Sequence, residues 1–87
     1  MGQKIQEKLN VERSLDIRGL PPPDGYAKAK AELQSLADQQ ILEMYIGDGE
    51  PLRSIPFGLR AEGHEIIVSE PVPDGVRLLI RKRPPLE

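Results

Sequence analysis

Few side chains in this sequence could carry out chemistry. His64 is the only histidine, and none of the 87 residues is a cysteine. A lone histidine can act as a general acid or base, but no nucleophile adjoins His64 in the sequence, and a zinc site would need further ligands. Asp48 and Glu50 flank Gly49, yet two carboxylates fall well short of the roughly six oxygen ligands of a calcium loop. We therefore predict neither a metal site nor a bound cofactor.

The absence of cysteine excludes disulfides, thiolate nucleophiles and thiolate-bound metals. The sequence also contains no glycine-rich phosphate loop and no Ser/His/Asp order. The enzyme classes that those motifs mark are therefore not indicated, and we expect a protein without catalytic residues.

The composition limits the classes of binding partner and the cellular location that we expect. The formal net charge is −2, whereas a dedicated nucleic-acid binder usually has a basic excess. No apolar run approaches the ~20 residues that span a bilayer, and the polar first residues are not typical of a secretory signal. We expect a cytoplasmic protein that does not enter a membrane.

Periodicity and turn residues predict six elements. Alternating apolar and polar residues indicate strands, and apolar residues spaced by three and four indicate helices. The predicted elements are, in chain order, strand 14–18, helix 26–37, strand 41–46, helix 54–62, strand 65–70 and strand 76–81. We expect Asp24 and Ser54 to cap the two helices through their side-chain oxygens. Gly63 suits the position after the second helix, and Asp74-Gly75 suits a tight hairpin turn.

This order, β-α-β-α-β-β, predicts an α+β fold, a two-layer α/β sandwich with both helices on one face of the sheet. We assign residues 13–83 to the domain and residues 84–87 to a C-terminal tail. Residues 1–12 are a polar N-terminal leader, which is either a frayed tail or a short helix.

Residues 15–23, with the sequence LDIRGLPPP, resemble the opening signature of the TusA/SirA sulfur-carrier family, Leu-Asp-x-x-Gly-x-x-Cys-Pro. Four further segments match that family in the same order: the loop residue Asp48, Ile55-Pro56, Gly63-His64-Glu65 and Leu79-Ile80-Arg81-Lys82. The resemblance covers residues 15–82, nearly the whole chain outside the leader. It implies a four-stranded mixed sheet below two helices.

Members of this family accept a persulfide sulfur on a cysteine at the N-terminus of the first helix and pass it on, in pathways such as tRNA thiolation or sulfur oxidation. The location suits the chemistry, because the partial positive charge of a helix N-terminus lowers the pKa of a thiol. Here the matching position is Pro22, which offers no nucleophile. The next proline is kept as Pro23, the family's second proline is replaced by Gly25, and the acidic residue before Ile-Pro is replaced by Ser54. The resemblance thus implies a sulfur-carrier scaffold that cannot relay sulfur by the family mechanism.

The function we favour is a non-catalytic protein-binding module, an adaptor or regulator linked to sulfur-transfer systems. Its predicted docking patch surrounds the corner between the first strand and the first helix, and comprises Arg18, Gly19, Pro22, Pro23 and Asp24. The three prolines also favour a polyproline II segment that an aromatic groove could bind. In the alternative interpretation, the prolines only stiffen the corner, and Arg18 and Gly19 are a polar strand end and a turn residue.

A second hypothesis is association with RNA or the ribosome. The element order is similar to that of the C-terminal domain of a bacterial initiation factor, which is an analogy of fold alone. The basic residues that could contact phosphates are Arg77, Arg81, Lys82 and Arg83, with Arg53 or Arg60. A charged final strand can equally protect a sheet edge, and the aromatic platform for stacking bases is missing.

A third hypothesis keeps sulfurtransferase-related activity with an unrecognised mechanism. Its nucleophile would be a residue other than cysteine, such as Ser54 or His64. The sequence shows no activating partner for either one.

Overall fold

The computed structural model describes residues 10–84, so most of the predicted leader and of the predicted tail lies outside the described residues. Six elements follow one another in chain order: β1 (Val11–Asp16), α1 (Pro22–Ser35), β2 (Ile41–Ile46), α2 (Glu50–Ala61), β3 (Glu65–Val72) and β4 (Gly75–Arg81). The strands form one sheet in the order β1-β2-β4-β3. β1 is parallel to β2, and the other two pairings are antiparallel. The predicted fold class, with its mixed four-stranded sheet, is confirmed.

Both helices cover the same face of the sheet, because alternate residues of the central strands pack against them. Leu42, Met44 and Ile46 of β2 are fully buried, whereas Glu43 and Tyr45 lie on the other face. The core shared by the sheet and the helices consists of Ile17, Ala29, Leu33, Leu36, Leu42, Met44, Ile46, Ile55, Leu59, Leu78 and Ile80. We call the sheet face that the helices leave uncovered the open face.

α1 begins four residues earlier than predicted, and the prediction that Asp24 caps it was wrong. The cap residue is Pro21, which is extended and provides no side-chain hydrogen bond. Pro22 and Pro23 are the first two helical residues, where a missing N–H costs nothing because the first N–H groups of a helix have no partner within it. Asp24 lies in the first turn instead, where its negative charge interacts favourably with the helix dipole.

α2 likewise begins earlier, at Glu50, so Ser54 lies inside the helix and does not cap it. The Ser54 hydroxyl donates to the Glu50 carbonyl at 3.0 Å. Pro56 is buried within the helix, where it removes one backbone hydrogen bond. Gly63 adopts the left-handed conformation just after the helix, with φ of 98°, as predicted.

The sheet differs from the sequence prediction in one important respect. β4 lies between β2 and β3, so the interpretation of the charged last strand as a protected edge was wrong. The edges are β1 and β3, and each contains one irregularity, between Val11 and Arg13 and between Ile66 and Val68. The final hairpin turns at Pro73 and Asp74, close to the predicted position, with longer strands on either side.

Within residues 10–84, neither helix has the length and the apolar character needed to cross a bilayer.

Candidate docking site at the start of the first helix

The corner between β1 and α1 is held by backbone contacts. The Ile17 N–H donates to the Tyr45 carbonyl at 2.9 Å, and the Leu20 N–H donates back to the Ile17 carbonyl at 3.2 Å. Gly19 stands inside this turn with φ of 91°, a conformation that side chains disfavour. Pro21 follows this turn in an extended conformation and is the N-cap of α1, so the helix begins at the next residue.

A cleft of about 540 Å³ opens beside the N-terminus of α1. We call it the docking cleft, and its lining comes from both helices: Pro22, Pro23, Tyr26, Glu50, Ser54, Ile55 and Gly58. The proline rings, the Tyr26 ring and Ile55 give it a largely apolar surface. Of the predicted docking patch, Pro22 and Pro23 therefore lie together at this cleft, and Asp24 is exposed on the adjoining first turn.

The Tyr26 ring forms one wall of the docking cleft in a fixed orientation. Its hydroxyl donates a hydrogen bond to the Glu62 carboxylate, just beyond α2. This bond, with partial burial, raises the pKa of Tyr26 to about 12, and the same bond lowers the pKa of Glu62. The Lys30 Nζ lies 3.3 Å from the Glu62 carboxylate. The ring is thus tied to α2 at its polar end.

Arg18 lies on the opposite side of the sheet from the docking cleft. Its guanidinium stands 5.0 Å from the centre of the Tyr45 ring on the open face. It also donates to both carboxylate oxygens of Asp16, at 2.7 and 3.0 Å, which together with the Arg18 backbone N–H lowers the pKa of Asp16 to about 2. The predicted docking patch grouped Arg18 with the prolines, whereas in the structure the Arg18 side chain lies over Tyr45 on the open face and Pro22 and Pro23 line the docking cleft.

The lining of the docking cleft holds no activated nucleophile. Pro22 has none, and the Ser54 hydroxyl already donates to a backbone carbonyl. His64 lines a different cleft and accepts a hydrogen bond at Nδ1 from the Arg83 N–H, at 3.2 Å. The structure therefore places Ser54 and His64 apart. Among residues 10–84, no group of three or more acidic or histidine side chains is arranged to hold a metal ion.

The basic residues near the end of the chain are engaged internally. Arg77 pairs with Glu43 at 2.7 Å and with Glu70 at 3.1 Å on the open face. Arg81 and Arg83 both pair with Glu65. These pairs would compete with phosphates for the same guanidinium groups, so they do not favour the RNA hypothesis.

The predicted docking patch did not include Tyr26 and Gly58, which line the docking cleft, or Glu62, which holds the Tyr26 ring. The sequence spacing between Tyr26 and the two prolines indicated that Tyr26 belongs to the site. Tyr26 follows Pro22 by four residues and Pro23 by three, which places all three on one stripe once the helix begins at Pro22.

Two sequence comparisons relate the chain to known proteins. The family model described as "Sulfurtransferase TusA" matches residues 13–82, most of the chain. A protein of Archaeoglobus fulgidus with the name "Putative sulfur carrier protein" is 29% identical over 77 residues, which covers 87% of this chain and 88% of that relative. The chain therefore belongs to the sulfurtransferase TusA family, as a member that contains no cysteine.

Proposed function

We propose that this chain is a non-catalytic member of its family that binds a protein partner in the cytoplasm, as an adaptor or regulator of a sulfur-transfer system. One observation carries the proposal. The first position of α1, where the resemblance to the family places its reactive cysteine, is Pro22, while the cleft beside that position remains open and largely apolar. An apolar surface suited to protein contact thus lies beside a position that has no reactive atom.

An exposed aromatic residue beside the docking cleft supports a protein as the partner. Phe57 is 72% exposed, and it directly precedes Gly58, which lines the docking cleft. Exposed aromatic side chains next to apolar clefts are common anchors of protein interfaces. The exposed Arg53 and Arg60 lie within one turn of Phe57 and add a polar rim.

The proposal also assigns a mode of action. A chain that occupies the partner's site for a sulfur carrier, without accepting sulfur, competes with family members that have the cysteine. Regulation then follows from mass action between the two chains, without any chemistry on this one.

Sulfur uptake tests the missing nucleophile. The wild-type chain and the Pro22→Cys variant are each incubated with a persulfide-bearing donor protein of a sulfur-transfer system, and their intact masses are compared. We expect sulfur on the variant alone. Sulfur on the wild-type chain would overturn the non-catalytic assignment, and an unmodified variant would show that the docking geometry of the family is lost.

Competition tests the docking surface. Sulfur transfer from the same donor to a cysteine-bearing family member is measured while the wild-type chain is added in increasing amounts. We expect inhibition, and we expect Phe57→Ser to weaken it. Val11→Ser is the matched control, since Val11 is also exposed and apolar but lies on β1. No inhibition by the wild type, or equal inhibition by both variants, contradicts the proposed surface.

A further inference from the structure

A second cleft, of about 390 Å³, lies where the middle of α1, the end of α2 and the segment after β4 meet. We call it the basic cleft. Its polar lining consists of Lys30, Gln34, Glu62, His64, Lys82 and Arg83. Three cations thus face one carboxylate, and that carboxylate is already engaged by Tyr26 and Lys30. His64 and Lys82 belong to segments that match the family, but the proposed docking function does not use this cleft.

Lys82 is fixed in position at the base of the basic cleft. Its Nζ donates to the carbonyl of Leu33 in the last turn of α1, at 2.7 Å, and to that of Leu36, the residue that follows the helix, at 2.9 Å. The Leu33 carbonyl also accepts from the Leu36 N–H, at 3.1 Å. The two bonds hold the ammonium at the C-terminal end of α1, where the helix dipole favours a positive charge. An ammonium group has three hydrogens, which leaves one for a ligand.

The tautomer of His64 follows from its neighbour. Because the Arg83 N–H donates to Nδ1, the neutral ring carries its hydrogen on Nε2. Burial lowers the pKa of His64 from its ordinary value; the charge of Glu62 opposes this shift, and the charge of Lys82 adds to it. In its neutral form the ring is a donor at Nε2, and no side chain of residues 10–84 accepts from that atom in the structure.

Most of the hydrogen-bonding side-chain groups that line the basic cleft are donors. Lys30 uses one of its hydrogens on Glu62 and is 44% exposed. Arg83 pairs with Glu65 through Nη1, which leaves its other N–H groups. A cationic ligand would meet only Glu62, whereas a ligand rich in acceptors would meet donors from α1, from His64 and from the segment after β4. The volume is within the range of small-molecule pockets, about 300–1,000 Å³.

We propose that the basic cleft binds a small molecule through an oxyanion group of the phosphate type, with Lys82, the Nε2–H of His64 and Lys30 as donors. The remainder of the ligand lies toward Gln34 and Arg83. The two clefts share no lining residue, although Glu62 of the basic cleft also holds the Tyr26 ring. Phosphate binding can therefore be tested independently of the proposed function.

The single histidine provides a direct probe. The full chain is titrated with inorganic phosphate at constant ionic strength and pH, above the titration of His64, and the ring signals of His64 are followed by NMR. We expect a saturable shift with phosphate that chloride does not reproduce. A response that does not saturate, or that chloride reproduces, would overturn the site.

Charge variants give changes of opposite sign, which a folding defect cannot imitate. We expect Lys30→Gln to weaken phosphate binding roughly two- to fivefold, the effect of losing a half-exposed charge contact. Glu62→Gln removes the one carboxylate of the lining, keeps an acceptor for Tyr26, and should tighten binding. Lys28→Gln is the control, because Lys28 is exposed on α1 outside the cleft. Weaker binding by Glu62→Gln, or an equal loss in Lys28→Gln, would overturn the assignment.

Nucleic acid is the other source of phosphate groups, and a further titration separates it. A ribonucleoside monophosphate and a short oligoribonucleotide are compared at equal phosphate concentration. We expect the monophosphate to shift the His64 signals at least as effectively. Much tighter binding of the oligonucleotide would overturn a small-molecule site.

Discussion

The ring of Tyr26 on α1 lies directly against the backbone of Gly58 on α2, so that a Cβ atom at position 58 would stand 2.8 Å from Cε1 of the ring. The far end of the ring is held by its hydrogen bond to Glu62, which prevents it from turning aside. The missing side chain of Gly58 therefore sets the distance between the two helices. It also sets the width of the docking cleft that Tyr26 and Gly58 line together.

Gly58→Ala tests this contact through a double-mutant cycle with Tyr26→Ala. Two effects oppose each other in the wild type: alanine gains about 1 kcal/mol of helix propensity, and overpacking costs about 1–3 kcal/mol. We expect a net loss of up to about 2 kcal/mol in the free energy of unfolding. In the Tyr26→Ala background the obstruction is gone, and the same change should stabilise by about 0.5–1 kcal/mol. Urea unfolding of the four proteins checks this. Equal stabilisation in both backgrounds would show that the ring does not restrict position 58.

The Tyr26 phenol should titrate with a pKa of about 12, raised from 10.0 first by its hydrogen bond to Glu62 and then by burial. The Tyr45→Phe variant leaves Tyr26 as the only tyrosine, and phenolate absorbance reports its titration. Because the pKa is higher in the folded state, the bond contributes its full stability below pH 10 and loses it as the pH rises from 10 to about 12. Adding Glu62→Gln should return the pKa toward 10.0. An unchanged titration after that addition would contradict the assignment to Glu62.

A cysteine placed at position 22 should have a thiol pKa below its ordinary value of about 8.5, because the N-terminus of α1 favours a thiolate. The Pro22→Cys variant measures this through the ultraviolet absorbance of the thiolate as the pH is varied. Ala37→Cys is the control, since Ala37 is exposed and follows the other end of α1. A thiol at position 22 that titrates like the control would show that the first turn does not stabilise an anion.

On the open face, the carboxyl of Asp16 should titrate with a pKa of about 2, against an ordinary value of 3.8. The cause is first the Arg18 side chain and then the Arg18 backbone N–H, so Arg18→Gln should return the pKa only part of the way. Carboxyl NMR shifts followed against pH measure it. Because the pKa is lowered in the folded state, the ion pair stabilises above pH 3.8 and is lost as the pH falls toward 2. Asp16 is 52% exposed, so solvent screening keeps that contribution small.

The matched control for this pair is Arg13→Gln, because Arg13 is on the same strand but pairs with Glu32 of α1. It should leave the titration of Asp16 unchanged. If both arginine variants shift it equally, the effect comes from the general field of the protein and not from the Arg18 contact.

The sequence could predict a strand in which buried and outward-facing residues alternate. Strand 41–46 was predicted with the observed bounds, because Leu42, Met44 and Ile46 pack against the helices while Glu43 and Tyr45 face outward. The helix starts were harder. Asp24 and Ser54 have side chains that favour caps, but each lies a few residues after a proline that suits the first turn equally well, and the prolines decided where the helices begin.

Strand order and side-chain direction could not be predicted in the same way. The position of β4 between β2 and β3 depends on pairings between distant segments, which local periodicity does not encode. Arg18 is drawn to the open face by Tyr45, which lies 27 positions later in the sequence. Pro22 and Pro23 lie together at the docking cleft, because neighbours in a first helical turn stay together whatever the rest of the fold does.

The irregularities in β1 and β3 leave Glu12 and Ile67 without a partner in the register of the neighbouring strand. An extra residue bends its strand and increases the local twist. Each edge strand is therefore a poor template for another chain, because a regular strand that paired with it would lose its hydrogen-bond register at the irregularity. The two irregular edges of this small sheet therefore disfavour the edge-to-edge addition of further chains through which fibrils grow.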